Sequence, residues 1–330
     1  MKIAIVGVTG MVGGAMLDVL EKSDIFRHCD LLPVASDKSV GKTITFHQKD
    51  YTVINATEAI RQKPEIAIFS AGAKTSEFLA PLFAEANCTV IDNSSYWRMF
   101  PEIPLIVPEI NANILKPSHK IIANPNCSTI QLVMVMAPLH NRYHIKRVVV
   151  STYQSVTGTG VKALQQLMNE RVGNPADKVY PHVIDMNLFP HGGIFTDSGY
   201  TSEEIKLHSE TQKILNDTNI QVTATVVRVP VKGGHSEAVN IEFEKEYELT
   251  DVISMLHDSP GLCIYDDPSN NIYPMPITAE GQDDVFVGRI RRDFSREKCL
   301  NLWITADNLR KGAATNAIQI AEYLVINNIL

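Results

Sequence analysis

Cysteine is scarce in this chain: 330 residues carry five, Cys29, Cys88, Cys127, Cys263 and Cys299, an odd number with no CxxC pair. That argues against a disulfide framework or a cysteine-based zinc site, so a reducing cytoplasm is expected and no metal. A basic excess is also missing. Lys and Arg total 30 against 37 Asp and Glu, a net charge of -7, where a dedicated nucleic-acid binder would rest on basic surface. No apolar run has the length of a membrane span. The opening Met1-Lys2-Ile3-Ala4-Ile5-Val6-Gly7 reads as a strand and not as a signal peptide. Internal repeats and low-complexity tracts are absent, and the length suits two ordinary domains.

What is present alternates. Short apolar runs at Lys2 to Val6, Leu31 to Val34, Ile66 to Phe69, Val90 to Asp92 and Ile121 to Ala123 read as buried strands. Met11 to Glu21 reads as a helix. Ser76 to Ala86 is another, with Phe78, Leu79, Leu82 and Phe83 expected on one face. Strands alternating with helices predict a parallel sheet covered on both faces. Beyond about residue 125 the texture changes. Ile130 to His140 and Glu203 to Leu215 read as helices, and 172–200 as a long loop. Arg147 to Tyr153, Val285 to Ile290 and Asn301 to Thr305 read as strands. Gln221 to Val229 and Glu237 to Phe243 alternate as half-buried antiparallel strands do, and Ala313 to Ile326 reads as an amphipathic helix. The predicted class is α/β: a Rossmann-type dinucleotide-binding domain plus an α+β domain with a largely antiparallel sheet. The first is expected over 1–125 with the C-terminal helix 309–330, the second over 126–308.

Gly7-Val8-Thr9-Gly10-Met11-Val12-Gly13 follows the first strand and opens a helix. Glycines there permit a tight turn and let backbone N–H groups approach a pyrophosphate at the helix N-terminus. The bland alternative is a glycine-rich turn with no ligand. After the second strand come Ser36-Asp37-Lys38-Ser39. Asp37 would suit a ribose hydroxyl and Lys38 a 2′-phosphate. Lys38 with the hydroxyls of Ser36 and Ser39 favours NADP, against a solvated turn of mixed charge.

Asn124-Pro125-Asn126-Cys127-Ser128-Thr129 lies between a strand and a helix, which places Cys127 at or near a helix N-terminus. Partial positive charge there favours a thiolate, and neighbouring N–H groups can hold an oxyanion. A buried structural cysteine is the competing reading; the other four have weaker contexts. A thiolate nucleophile usually needs a histidine. His235, in Arg228-Val229-Pro230-Val231-Lys232-Gly233-Gly234-His235-Ser236-Glu237, is the best placed of ten, although a histidine in such a turn is more often merely exposed.

Together with Asp92-Asn93-Ser94-Ser95-Tyr96-Trp97-Arg98, Thr152 to Gly158, Val287 to Arg291 and Asp307 to Ala314, these stretches resemble the aspartate-β-semialdehyde dehydrogenase family over nearly the whole chain. The resemblance implies NADPH-dependent reductive dephosphorylation of L-aspartyl 4-phosphate to the semialdehyde and phosphate, towards lysine, methionine, threonine and diaminopimelate. Cys127 would attack the acyl phosphate and carry a thioester, which hydride from the nicotinamide would reduce. His235 would be the general acid/base. By the same resemblance Arg228 would grip the substrate carboxylate, Gln154 would position it, and Glu203 would meet its ammonium. Arg98 and Lys206 would hold the phosphate. Glu203 and Lys206 at i,i+3 also read as a plain surface salt bridge. Gly7, Thr9, Gly10, Met11, Val12, Ser36, Lys38, Ser39, Thr157, Gly158 and Asn308 would touch NADP.

The chain departs from the family pattern at three places: Lys38 stands where an arginine is usual, Ala73-Lys74 where a glycine loop continues, and Thr157 where serine is common. The family forms homodimers through the second domain, sometimes tetramers; no nucleic-acid or membrane partner is expected. Three rivals stand beside this reading. N-acetyl-γ-glutamyl-phosphate reductase would have no use for Glu203 against a blocked amine. A non-catalytic nucleotide-binding protein would have no use for Cys127, His235, Arg228 and Gln154. A general aldehyde dehydrogenase would leave the phosphate-binding pair unexplained.

Overall fold

A computed structural model describes residues 1–175 and 177–330; position 176 of the expected 172–200 loop lies outside them. The chain divides into two compact units, Met1–Asn126 with Ala313–Leu330, and Cys127–Gly312.

The first unit contains β1 (Lys2–Val6), α1 (Met11–Lys22), β2 (Asp30–Val34), β3 (Thr43–Phe46), β4 (Lys49–Thr52), α2 (Ala56–Arg61), β5 (Ile66–Phe69), α3 (Ala73–Glu85), β6 (Thr89–Asp92), α4 (Pro108–Asn111) and β7 (Ile121–Ala123). Five strands form a sheet in the order β2-β1-β5-β6-β7, every pair parallel. Their continuous apolar runs fit a sheet buried on both faces. On one face α1 and the C-terminal helix Thr315–Ile326 pack Met16, Leu20, Ile318 and Leu324 against Ile3 and Ile5. On the other, Ala80 and Phe83 of α3 meet Ala4, Val6 and Phe69. The expected stripe on α3 is corrected: Phe78 is 70% exposed and Leu82 38%. The inward residues are Ser76, Ala80 and Phe83, at i, i+4 and i+7, where two small side chains let the helix sit close. The C-terminal helix buries Thr315, Asn316, Ala317, Ile318, Ile320, Ala321 and Leu324, which is more than one stripe.

The second unit opens with α5 (Cys127–Tyr143), followed by β8 (Ile145–Gln154), α6 (Val161–Arg171), α7 (Ser202–Leu215), β9 (Gln221–Arg228), β10 (His235–Phe243), α8 (Leu249–His257), β11 (Leu262–Ile264), α9 (Pro276–Ala279), β12 (Val285–Arg292) and β13 (Cys299–Ala306). Six strands run in the order β11-β12-β13-β10-β8-β9. The central pairs are antiparallel. The edge pairs β8–β9 and β11–β12 are parallel, so the antiparallel expectation for Gln221 to Val229 is corrected. Between β8 and β9 the chain crosses over through α6 and α7, and a helical crossover returns the next strand in the same direction. α5 starts three residues earlier than expected and is buried along nearly its whole length, as befits a central helix. It packs with α7 on one face of this sheet. Register puts Thr152 and Gln154 of β8, Val226 and Arg228 of β9, and His235 and Glu237 of β10 on a common face.

Candidate active site

In the first unit the glycine turn is defined by what a side chain would hit. Gly7 has φ +92°, and a Cβ there would lie 2.4 Å from the Ser70 carbonyl oxygen. A Cβ at Gly13 would lie 2.3 Å from the Gly7 oxygen. One glycine therefore lets two βα turns approach, and the other lets α1 sit against the turn. The N-cap of α1 is Gly10, with no side chain bonding the first helical N–H groups, the state in which a helix start receives an anion. A cleft of about 730 Å³ opens over this turn, lined by Thr9, Gly10, Ser36 and Asp37 among others. These residues fit a dinucleotide. Met11 and Val12 are the first two residues of α1. Lys38 and Ser39 fall on a single 3-10 turn, Asp37–Ser39, with no buried residue; they are not among the residues lining the cleft.

Also in the first unit, Arg98 is only 6% exposed. Its Nε donates to the Asn124 carbonyl at 2.9 Å and its Nη2 to that of Asn93 at 3.0 Å. The Asn124 amide donates to Asn93 Oδ1 at 2.7 Å, and Asn316 Nδ2 donates to Asn124 Oδ1 at 2.6 Å. This amide network pins the chain at the end of β7, two residues before the first unit ends.

Cys127 is the first residue of the 17-residue helix α5, where the macrodipole favours a thiolate. It is partly exposed, whereas Cys29, Cys88 and Cys299 are buried. Burial pushes the Cys29 thiol up to about 11 and Cys88 to about 12, which leaves both inert. Gly312 packs against Cys127, since a Cβ on it would lie 2.8 Å from Cys127 Cβ. Gln154 ends β8, and its Nε2 donates to Ser128 Oγ at 3.0 Å, so strand end and helix start are tied together beside Cys127.

His235 is fully buried, not the exposed turn residue of the competing reading. Burial first, then the Arg228 charge, lowers its pKa to about 3, so the ring is neutral at pH 7. Gly158 lies over it: a Cβ there would fall 2.9 Å from His235 Nε2 and 3.2 Å from Arg228 Nη1. Arg228 is 5% exposed. Its Nη1 donates to the Ser155 carbonyl at 2.6 Å, its guanidinium lies 5.8 Å from the Tyr180 ring centre, and its Nε has no hydrogen-bond partner. Among the described residues no carboxylate pairs with it. A buried cation without a counter-charge is costly unless an anion arrives. Thr157 follows β8 in a short 3-10 turn. Asn308 directs both amide atoms onto protein groups, Oδ1 accepting from Gly234 N–H at 3.2 Å and Nδ2 donating to Thr157 Oγ1 at 3.1 Å.

Glu203 and Lys206 lie in the first turns of α7, whose N-cap Thr201 forms a capping box with Glu204. Lys206 Nζ and Glu203 form an ion pair, with side chains 27% and 17% exposed. The pair is therefore half-buried and joined, and not two separate charges on a wet surface. Two further residues escaped sequence reasoning. Ser155 touches His235, and only its place after Gln154 hinted at it. Glu237, two residues after His235, is fully buried, and neither carboxyl oxygen has a hydrogen-bond partner at normal geometry. Burial raises its pKa well above the usual carboxylate value, opposed by the neighbouring Gln131 amide. No group of three or more His, Cys, Asp or Glu that could hold a metal ion occurs among the described residues. No helix among them is long and apolar enough to cross a membrane.

Residues 2–118 match the family described as "Semialdehyde dehydrogenase, NAD binding domain", and 136–311 match "Semialdehyde dehydrogenase, dimerisation domain". The aspartate-semialdehyde dehydrogenase of Aquifex aeolicus is 50% identical, covering 98% of each chain. The chain belongs to the aspartate-semialdehyde dehydrogenase family. The Bacillus subtilis member is 42% identical over 98% of this chain and 96% of its own. A crystal structure of aspartate semialdehyde dehydrogenase II from Vibrio cholerae, complexed with ASA, matches with TM-score 0.94 and 42% identity, covering 99% and 98% of the two chains. The aspartate-semialdehyde dehydrogenases are oxidoreductases with a nicotinamide-dinucleotide domain, and both parts of that description match here.

Proposed function

We propose that this chain catalyses the NADPH-dependent reductive dephosphorylation of L-aspartyl 4-phosphate to L-aspartate 4-semialdehyde and phosphate, in amino-acid biosynthesis. The observation that carries the reading is the buried, carboxylate-free Arg228 beside a neutral His235, in the unit whose helix starts with Cys127. The Cys127 thiolate attacks the acyl carbon, the bond from that carbon to the phosphate oxygen breaks, and a thioester remains on Cys127. When bound, the nicotinamide supplies the hydride that reduces this thioester. N–H groups at the start of α5 stabilise the oxyanion. His235 acts as general acid/base at the reacting carbonyl oxygen. Arg228 holds the substrate carboxylate by a two-toothed contact, Glu203 its ammonium, and Gln154 orients it; Arg98 and Lys206 are the phosphate ligands.

The unit Met1–Asn126 with Ala313–Leu330 is proposed as the NADP domain. Its turn Gly7, Thr9, Gly10, Met11, Val12 takes the pyrophosphate, and Ser36, Lys38 and Ser39 take the 2′-phosphate. Thr157, Gly158 and Asn308 are the proposed cofactor contacts of the catalytic unit. The sheet face opposite α5 supports a homodimer: Tyr153 and Trp303 lie on it, half-buried, 5.4 Å apart. The test is an assay of semialdehyde with phosphate, NADP and NAD in parallel. NADPH formation that needs both semialdehyde and phosphate is expected. Reduction of NADP without phosphate would refute the acyl-phosphate mechanism.

A further inference from the structure

β9 is the last strand of its sheet, so one edge of its backbone faces no strand of that sheet. Such an edge leaves a row of N–H and C=O groups to be covered. Helix α7 covers part of it with side chains. Glu204, His208 and Gln212, at i, i+4 and i+8, share one face of the helix. Val226 N–H donates to Glu204 Oε1 at 3.0 Å. A carbonyl oxygen only accepts, so His208 Nδ1 donates to that of Val222 at 3.1 Å, and Gln212 Nε2 to that of Ile220 at 2.9 Å. The Glu204 rung differs from the other two. Its Oε2 accepts from the Thr201 N–H at 2.6 Å, while the Glu204 N–H donates to Thr201 Oγ1 at 3.4 Å. One carboxyl group thus divides its two oxygens between two backbones, the N-cap of α7 and the edge of β9. A capping box alone needs only one of them; the bond to Val226 has no part in capping.

Those two backbones carry the residues proposed to grip the amino-acid end of the substrate. Glu203 directly precedes Glu204 on α7, and Arg228 lies two residues beyond Val226 on the same face of β9. Their surroundings already converge: a Cβ on Gly192 would lie 2.5 Å from Val226 Cγ1 and 3.2 Å from Glu203 Cγ. On the far side of Val226, Arg228 exchanges backbone hydrogen bonds with Phe189, at 2.9 and 3.2 Å. We infer that Glu204 is a positioning residue: by holding the α7 N-cap and the β9 edge at once, it sets Glu203 and Arg228 at the spacing of an ammonium and a carboxylate borne on one carbon. This rests on the substrate reading above and deepens it. The selective part of that grip is the distance between two charges on different elements, and a shift of α7 along β9 would change that distance while leaving each charge in place on its own element. His208 and Gln212 continue the same ladder away from Glu203, so they dock the helix without setting that distance.

The experiment compares Glu204→Gln with Gln212→Ala in the full-length enzyme. A glutamine keeps the capping box, which accepts either residue, but its amide nitrogen then faces the Val226 N–H, donor against donor. Glu204→Gln is expected to raise the KM for the semialdehyde by about tenfold, with kcat and the NADP Kd nearly unchanged, as the loss of a binding contact does. Gln212→Ala removes the far rung and is expected to lower the melting temperature while leaving that KM alone. An unchanged KM in Glu204→Gln, or an equal rise in Gln212→Ala, overturns the proposal, since the ladder would then only dock the helix. Residue-resolved amide hydrogen exchange gives a second measurement: the Val226 amide is expected to be protected in the wild type and to exchange faster in Glu204→Gln. Fast exchange of that amide in the wild type overturns the proposal, and this decides the matter if Glu204→Gln does not fold. A wild type without phosphate-dependent turnover would instead refute the proposed reaction, with exchange at Val226 still testing the tie, so the two failures are told apart.

Discussion

The two units prepare to hold anions by opposite means. In the first, the turn at Gly7 to Gly13 works through missing side chains: a Cβ at either end would strike backbone oxygen, and the helix start is uncapped. Backbone dipoles are what this turn offers, and such dipoles suit any anion of fitting shape. In the second unit the work falls to buried side chains, Arg228 without a carboxylate partner and His235 without a charge. Such groups are expensive to bury and are useful only to a ligand that matches them. In the proposed roles, a general grip on a cofactor and a selective grip on a substrate have different physical bases, and they should fail independently.

That independence can be broken experimentally. Cys127→Ala should lower phosphate-dependent turnover by about 10⁴-fold or more while NADP still binds, as read by dinucleotide fluorescence titration; wild-type turnover would end the thioester mechanism. Gly7→Ala should do the reverse, weakening NADP binding by about 10²-fold, roughly 2.7 kcal/mol, because the added methyl pushes against the Ser70 oxygen. Unchanged affinity would show that the turn is not the dinucleotide site. Gly158→Ala places a methyl on His235 Nε2 and should lower kcat by about 10²-fold with the melting temperature nearly unchanged. Lys38→Ala, on an exposed turn, should raise the NADP Kd by about tenfold, roughly 1.4 kcal/mol, and leave the NAD Kd alone.

The smallest effect concerns Glu237. Its folded pKa is raised, so the native state keeps a proton that the unfolded chain has released above about 4.5. Its contribution is fully present below that pH and is lost as pH rises towards the folded value. Glu237→Gln should therefore lift the melting temperature at pH 8 by a few degrees, about 2–4 °C per kcal/mol, and change little at pH 4. His235 has the opposite sign: its folded pKa is about 3 against 6.5, so stability falls as pH drops from 6.5 towards 3.

Much of this was legible in the residues. The glycine turn could be read because close backbone approach demands glycine, and Cys127 because Pro125 and the following apolar run mark a helix start. The hairpin of β3 and β4 was not. Its turn places His47 and Gln48 at φ 48° and 59°, left-handed positions where Asn and Gly are the usual signal. The parallel pairing of β9 was hidden because alternation reports a half-buried face and not strand direction. Arg228 and His235 could be named as candidates, but burial decided between an exposed turn and a site, and burial is a property of the whole fold. Glu237 carried no signal and Ser155 only its place after Gln154, since their surroundings depend on partners 106 and 80 residues away, Gln131 and His235.

One consequence concerns cofactor engineering. Ser36, Asp37 and Lys38 are exposed, and their turn buries nothing. The glycines of the dinucleotide turn are interlocked with neighbouring backbone. The proposed 2′-phosphate site is therefore modular: residues 36–39 can be exchanged as a cassette without disturbing the sheet beneath. A library confined to those four positions should yield coenzyme-switched variants that keep the parent's thermal tolerance.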